Sequence, residues 1–470
     1  MTARTPSKTT SHPPNEIGKL SLIRSSASQQ DAAQYYARED GDPLSQAFER
    51  KTAVHAGMSG NALSSEDIDA TFQRLLDAKR TGKSAVYVHI PFCETHCLYC
   101  GFYSTPYKKE RSAAYVDTVL AEIQAEKERT AVKSAPIHAV YLGGGTPTSL
   151  EADDLRRLLL GIREHLPLAN DCEITVEGRV FRFGPEKMQA CIDGGANRFS
   201  LGVQTFDTRI RKSMGRICER SEVINALEHL MRLDNAAVVI DLIYGLPGQT
   251  AEEWEHDLKM FDSLGLDGCD LYQLNIFPGG KLDAALKAGE VAPAADIAGQ
   301  SKLFRQGVEF MNSRRMRRLS ISHWGRSTRE RNIYNPLMKS RANCLAYGAG
   351  AGGSLQGHFY FVQSNFEEYM TQRSKGRKPV VMLMEPPANA ALIRSLTGQL
   401  ESGVLDLNRT SHETGMAVDT LYSPLLNQWM HAGLLRREGD WVELTLAGQF
   451  WQVNITQALI DWHTNHATEI

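Results

Sequence analysis

The sequence predicts an α/β protein: a partial (β/α)6 barrel with an N-terminal extension and a small C-terminal winged-helix-like α+β domain. Two patterns carry the barrel. Six short β-branched runs, at 85–92, 137–143, 173–177, 198–204, 237–244 and 269–277, start roughly 25 to 50 residues apart, room each time for a crossover helix. Strands alternating with helices in this way imply parallel βαβ units. The chemistry-bearing residues also fall at the C-terminal ends of these runs, where parallel barrels gather their functional groups.

In chain order, residues 1–40 are rich in Ser, Thr and Pro and are expected to be a disordered tail, followed by an extension over 41–83. The barrel is assigned to 84–315, with helices over 113–130, 152–164, 185–194, 221–235 and 251–264 and a further one over 302–312. Pro185 sits where a helix begins without losing a hydrogen bond. An accessory region over 316–375 opens with the apolar run 319–324 and turns Arg- and then Gly-rich. A linker is expected at 376–386, before the adjacent prolines end, opening a C-terminal domain over 376–470. There, helices over 388–400 and 421–432 precede a hairpin with a Gly439-Asp440 turn and a last helix over 446–464.

Composition narrows the class. With 42% hydrophobic and 23% charged residues in 470, the chain reads as soluble and globular. A net charge of -3 offers no broad basic surface, so no nucleic-acid partner is expected. No apolar run reaches the ~18–20 residues of a membrane span, and the first thirty residues lack the apolar core of a secretory signal. Of eight cysteines, three lie within eight residues and the others are scattered, at 172, 191, 218, 269 and 344. That usage fits a reducing cytoplasm with a thiolate metal site better than a disulfide framework.

Cys93-x3-Cys97-x2-Cys100 follows the first run. A [4Fe–4S] cube normally takes four thiolates, so three leave one iron open to another ligand. A zinc site completed by His89 or His96 is the alternative on the residues alone. Gly143-Gly144-Gly145 ends the second run, where it either forms a tight turn or admits a ligand close to backbone. Asp241, in the fifth run, suits ribose hydroxyls or an amino group, and equally a helix cap or a barrel ion pair.

The stretch from Tyr87 to Phe102 (YVHIPFCETHCLYCGF) resembles the radical-SAM superfamily, in the branch containing oxygen-independent coproporphyrinogen dehydrogenase. The likeness extends to Gly143–Thr148 (GGGTPT), Asn197–Gln204 (NRFSLGVQ) and Asp241–Gln249 (DLIYGLPGQ), covering about 84–280 and continuing more weakly beyond. The resemblance implies a radical-SAM barrel whose Cys93, Cys97 and Cys100 hold a [4Fe–4S] cluster with S-adenosylmethionine (SAM) on the open iron. It also implies SAM contacts from Tyr87, Gly144, Glu177 and Asn275, and a second SAM held by Tyr99, Gly145, Thr146, Gln204, Arg216 and Asp241. A flavodoxin-type electron donor is the implied reductant.

Three activities compete within the branch. Coproporphyrinogen dehydrogenases commonly carry a fourth cysteine where Phe102 stands, and their N-terminal signature is missing. The haem-trafficking chaperones have Asp-Phe where this chain has Gly101-Phe102, and their later signature matches Asn332 and Tyr334 only in part. Glu177-Gly178-Arg179, the segment 328–335 and the Gly-rich segment 347–353 look like the anaerobic haem-degrading radical-SAM methyltransferases, the anaerobilin synthases. That resemblance implies haem as substrate, opened and methylated to a linear tetrapyrrole with release of iron. Haem asks for apolar walls and cations for its propionates, which Arg326, Arg329, Arg331 and Tyr334 are expected to provide; a solvated loop is the other reading. His323 is either an iron ligand or a core histidine.

Overall fold

Seven parallel strands form the centre of the sheet in the computed structural model, which describes residues 32–51, 56–57, 60–102, 105–466. Six are the expected barrel strands: β1 (Ser84–Ile90), β2 (Ile137–Gly144), β3 (Leu168–Gly178), β4 (Arg198–Gln204), β5 (Ala237–Tyr244) and β6 (Gly268–Gln273). They pair in sequence order, as successive right-handed crossovers require. Covered by helices outside and side chains inside, such strands read as near-continuous apolar runs. In β5, for instance, every residue except Asp241 is buried.

The crossover helices start and stop on local signals. One, Ala251–Ser263, opens with a capping box in which Thr250 and Glu253 each satisfy the other's backbone N–H. Another, Arg220–Leu233, has the same device at Glu219 and Glu222 and ends on Asp234 in the left-handed region. Pro185 opens its helix as expected.

The accessory region is not separate from the barrel. A short strand β7 (His323–Gly325) pairs antiparallel with β6, and β8 (Asn343–Tyr347) pairs parallel with β1, Cys344 opposite Ala85. Between them the chain crosses the N-terminal ends of the strands, and a short helix, Tyr334–Lys339, packs against β1 and β2. From β8 the sheet continues antiparallel through β9 (Gly352–Leu355), β10 (His358–Val362) and β11 (Val380–Glu385). The last of these occupies the stretch expected to be a linker, so the sheet runs across both boundaries drawn at 316 and 376.

The C-terminal part has the winged-helix element order. Helices Ala390–Leu400, Leu407–Thr414 and Val418–His431 precede the Leu435–Glu438 and Trp441–Leu444 hairpin, whose second strand also pairs with Val404–Asp406. The expected last helix is two, Leu446–Phe450 and Gln452–His466. This part docks below the barrel: Thr397 donates to the Lys339 carbonyl at 2.9 Å, and the Ile321 N–H reaches the Glu401 carbonyl at 2.9 Å.

Of the expected disordered tail, residues 1–31 lie outside the described residues. Residues 32–40 are ordered against the C-terminal part, Trp429 donating its indole N–H to the Tyr35 carbonyl at 3.0 Å. Among the described residues no helix is long and apolar enough to cross a membrane.

Candidate functional site

The cysteine loop leaves β1 and passes over the C-terminal ends of the parallel strands. Each of its three sulfurs receives an N–H. Arg179 Nη2 lies 3.8 Å from Cys93 Sγ, Arg216 Nη1 3.6 Å from Cys97 Sγ, and the Phe102 amide 3.3 Å from Cys100 Sγ. Thr146 Oγ1 stands 3.3 Å from Cys93 Sγ. Burial pushes the Cys93 thiol up, with Thr146 and Arg179 opposing it. Burial also acts against the Cys97 thiolate, but Arg216 and Arg179 outweigh it and its pKa falls. Guanidinium groups beside thiolates suit a negatively charged metal–thiolate group.

Among the described residues no three His, Cys, Asp or Glu side chains close around a single metal ion, as a zinc site requires. A cubane cluster bonds each cysteine to a different iron, so its ligands sit further apart. With three cysteine sulfurs carrying N–H donors at one barrel mouth, the donor set fits a cluster.

Beside the loop, the backbone at Gly144–Gly145 is drawn tight. The Gly145 N–H donates to the Ile90 carbonyl at 2.8 Å, and a Cβ on Gly145 would lie 2.6 Å from the Phe92 carbonyl oxygen. Gly144 has φ +108°, and a Cβ there would enter the His89 ring. Only glycine meets both demands.

Facing this strap inside the barrel are two half-buried carboxylates, Glu177 of β3 and Asp241 of β5. Burial, and then Asp241, raises Glu177 to about 8, although the Gly144 amide bonds it. Burial, and then Asp270, raises Asp241 to about 7. Such a pair is poised to ionise against a cationic, hydrogen-bond-donating ligand. On β4, Gln204 adopts φ +70° at a bulge, and its buried Oε1 has no partner, a polar atom left for a ligand. Arg216 joins this side to the loop, donating to the Tyr99 hydroxyl at 3.0 Å and to the Gly202 carbonyl.

The mouth thus brings together Cys93, Cys97, Cys100, Tyr99, Gly144, Gly145, Thr146, Glu177, Gln204, Arg216 and Asp241. Tyr87 lies lower on β1, its hydroxyl 3.1 Å from His89 Nδ1. Asn275 lies two residues past the end of β6 at Gln273, exposed in the following loop, its amide 3.4 Å from the Gln273 carbonyl.

The arginine segment is at the other end of the barrel, which corrects its expected place beside a haem. Arg326 pairs with Asp262 at 3.0 Å, and Arg329 binds Asp234 and the Ala236 carbonyl. Arg331 reaches the Asp171 carbonyl at 2.9 Å. These partners precede or open β3, β5 and β6, at their N-terminal ends, and they engage all three guanidiniums. Tyr334 alone of the four reaches the interior, stacking on Tyr141 with ring centroids 4.5 Å apart and on Tyr87 at 6.3 Å.

His323 is a core residue. Its Nδ1 lies 2.7 Å from Asp270 and its Nε2 3.0 Å from Glu330, and Glu330 in turn takes Arg198 Nε at 3.0 Å. Burial opposes the charged imidazole, but Asp270 and Glu330 prevail and raise His323 to about 9. Burial likewise opposes the Glu330 carboxylate, but Arg198 and His323 hold it down to about 2. This sealed ionic plug closes the barrel below the mouth.

Sequence reasoning gave no role to Arg179, Glu330, Arg198 or Asp270, although the first three stand inside the stretches that carry the family resemblance. Arg179 had a positional signal as well, one residue beyond the Glu177-Gly178 pair at a strand end. The other three are ordinary charged residues until the fold joins them.

A family model described as the radical SAM superfamily matches residues 87–261. The chain is 42% identical over 423 residues to anaerobilin synthase of Escherichia coli O157:H7, spanning 89% of this chain and 93% of that protein. It is 38% identical over 194 residues to the haem chaperone HemW of Lactococcus lactis, spanning 41% of this chain and 49% of the relative. HemW of Bacillus subtilis is 26% identical over 372 residues, 78% of this chain and 96% of the relative. Among solved structures, the radical SAM enzyme coproporphyrinogen III oxidase (HemN) from Escherichia coli superposes with a TM-score of 0.72 at 19% identity. That match spans 87% of this chain and 97% of the other, and shows the shared fold.

Proposed function

The chain belongs to the radical SAM superfamily, in the family of anaerobilin synthase, and on that premise we propose that it opens the haem macrocycle without oxygen, methylating it to a linear tetrapyrrole and releasing iron. The observation that carries this reading is the 42% identity to anaerobilin synthase, sustained over 89% of this chain and 93% of the relative. The site agrees with it locally. Phe102, where the dehydrogenases commonly carry a fourth cysteine, is 72% exposed at the mouth, an apolar surface where a porphyrin edge can rest.

When bound, the cluster and SAM supply a one-electron cleavage that generates a carbon radical. The chain's own residues do the rest. Cys93, Cys97 and Cys100 hold the cluster. Gly144 and Gly145 let backbone approach the methionine end of the first SAM, which Tyr87 and Glu177 flank. Asp241, Gln204, Arg216, Tyr99 and Thr146 line a position for a second SAM, the methyl source in this reading. Glu177 and Asp241 ionise as cationic ligand groups arrive. The plug below Tyr87 and Tyr334 keeps water from entering through the barrel's lower end. A flavodoxin-type protein delivers the electron, and the enzyme works in the cytoplasm.

The test is one anaerobic incubation of reconstituted protein with haem, SAM and a reductant, with products identified by mass spectrometry. The expected products are 5'-deoxyadenosine and a methylated, iron-free tetrapyrrole. Stable haem binding without haem loss would replace this reading with a chaperone. Carbon dioxide release from coproporphyrinogen would replace it with a dehydrogenase.

A further inference from the structure

Arg179 is held in place more thoroughly than a surface arginine needs to be. It follows Gly178 at the very end of β3, where a Cβ on Gly178 would lie 2.2 Å from Thr148 Cγ2. Thr148, in the loop after β2, clasps the Arg179 backbone from both sides. Its hydroxyl donates to the Arg179 carbonyl at 3.2 Å and accepts the Arg179 N–H at 3.1 Å. So anchored, the side chain spans to the cysteine loop. Nη1 donates to the carbonyl and the hydroxyl of Thr95, both at 3.0 Å, and Nη2 points at Cys93 Sγ, 3.8 Å away.

The other two sulfurs have their own donors, Arg216 for Cys97 and the Phe102 amide for Cys100. Arg216 also bonds Tyr99, a residue already assigned to SAM, and the Gly202 carbonyl. Arg179 makes no such contact. Its side-chain hydrogen bonds end on Thr95 and on the Cys93 sulfur, and its charge bears on the Cys93 and Cys97 thiolates as well as on Glu177, so its closest effect falls on the metal–thiolate group itself.

An N–H donor to a cysteine sulfur draws negative charge off that sulfur, and a nearby guanidinium adds a full positive charge. Both favour the more negative, reduced state of a cluster and raise its potential. We propose that Arg179 is a positioning residue that raises the reduction potential of the cluster held by Cys93, Cys97 and Cys100, by donating to Cys93 while tying Thr95 down. The easier reduction brings the site within reach of a biological donor. This inference rests on the superfamily and not on the choice of tetrapyrrole, so a failure of the haem assay leaves it standing.

The test compares wild type with Arg179→Met and Arg179→Lys, each reconstituted and assayed for iron and sulfide. Reduced cluster is quantified by electron paramagnetic resonance across a series of fixed potentials, without substrate. At the potential that half-reduces wild type, Arg179→Met is expected to show a reduced-to-oxidised ratio about tenfold lower, equal to about 59 mV for one electron. Arg179→Lys, which keeps the charge and loses the fork, is expected to lie between. Superimposable titrations at equal iron content would overturn the proposal, since a purely structural arginine changes loading and not potential. If Arg179→Met fails to load, Arg179→Lys decides: a lowered potential supports the proposal and an unchanged one overturns it.

Discussion

Replacing Glu330 with glutamine removes one charge from the plug while preserving its shape, and the structure sets the size of the effect. The Glu330, Arg198, His323 and Asp270 side chains are 0%, 3%, 1% and 4% exposed, so the ions have no water to fall back on. Arg198 Nη2 is already without a hydrogen-bond partner, which leaves Glu330 its principal compensation. Deleting one member of a buried pair costs about 3–5 kcal/mol. The pH profile separates charge from packing. His323 at about 9, against its ordinary 6.5, corresponds to roughly 3 kcal/mol. Because the folded value is the higher one, that stability is fully present below pH 6.5 and is lost as pH rises through 9. Glu330, held down to about 2 from 4.5, contributes above pH 4.5 and is lost as pH falls through 2. Urea unfolding followed by tryptophan fluorescence should therefore show Glu330→Gln less stable by roughly 3 kcal/mol at pH 6, with the gap narrowing towards pH 9.5. Arg198→Met combined with Glu330→Leu should recover part of the loss, since both charges of the pair leave together and His323 keeps Asp270, while buried Glu173 loses Arg198. Equal stabilities at pH 6, or a deficit unchanged at pH 9.5, would refute the reasoning.

SAM affinity of the reconstituted protein is expected to rise about tenfold or more between pH 6 and 8.5. Asp241 at about 7 and Glu177 at about 8 must ionise to meet cationic groups, and calorimetry in buffers of different ionisation heat should register proton release. Gly145→Ala places a Cβ 2.6 Å from the Phe92 carbonyl oxygen, which backbone cannot yield. Overpacking of about 1–3 kcal/mol and poor iron loading should follow, both readable by thermal shift and iron assay. Cys93→Ala should bring 5'-deoxyadenosine down to background; a protein that still consumed haem under the same conditions would end the radical mechanism. Trp429→Ala empties a fully buried site and removes the bond to Tyr35, so about 3–5 kcal/mol is lost and protease cleavage near residues 32–47 should accelerate.

Much of the barrel was legible because its signals are local. A buried parallel strand must be apolar along its whole length, and its crossover helix must carry caps, so β1 to β6 and their helices could be read within a few residues. The cysteine spacing and the glycine strap are local as well, since both answer to chemistry within one loop. β8 was harder. Asn343–Tyr347 is an ordinary five-residue run, and only its pairing with β1 makes it the seventh parallel strand. β11 looks like a linker in sequence because Gly376 and the prolines at 386–387 bracket it, while its strand character comes from pairing with β10.

The arginine segment marks the limit most clearly. Three guanidiniums in six residues resemble a propionate site, but charge says nothing of which partner will meet it. Asp171, Asp234 and Asp262, far apart in sequence, arrive at the strands' N-terminal ends together and engage all three. By itself, then, the sequence determined the barrel strands, the cysteine triplet and the family, each encoded in neighbours along the chain. The tertiary structure alone decided which charges are spent on the plug and which remain at the mouth. Coulombic pairing and burial depend on distance in space, which strand order sets and residue spacing does not.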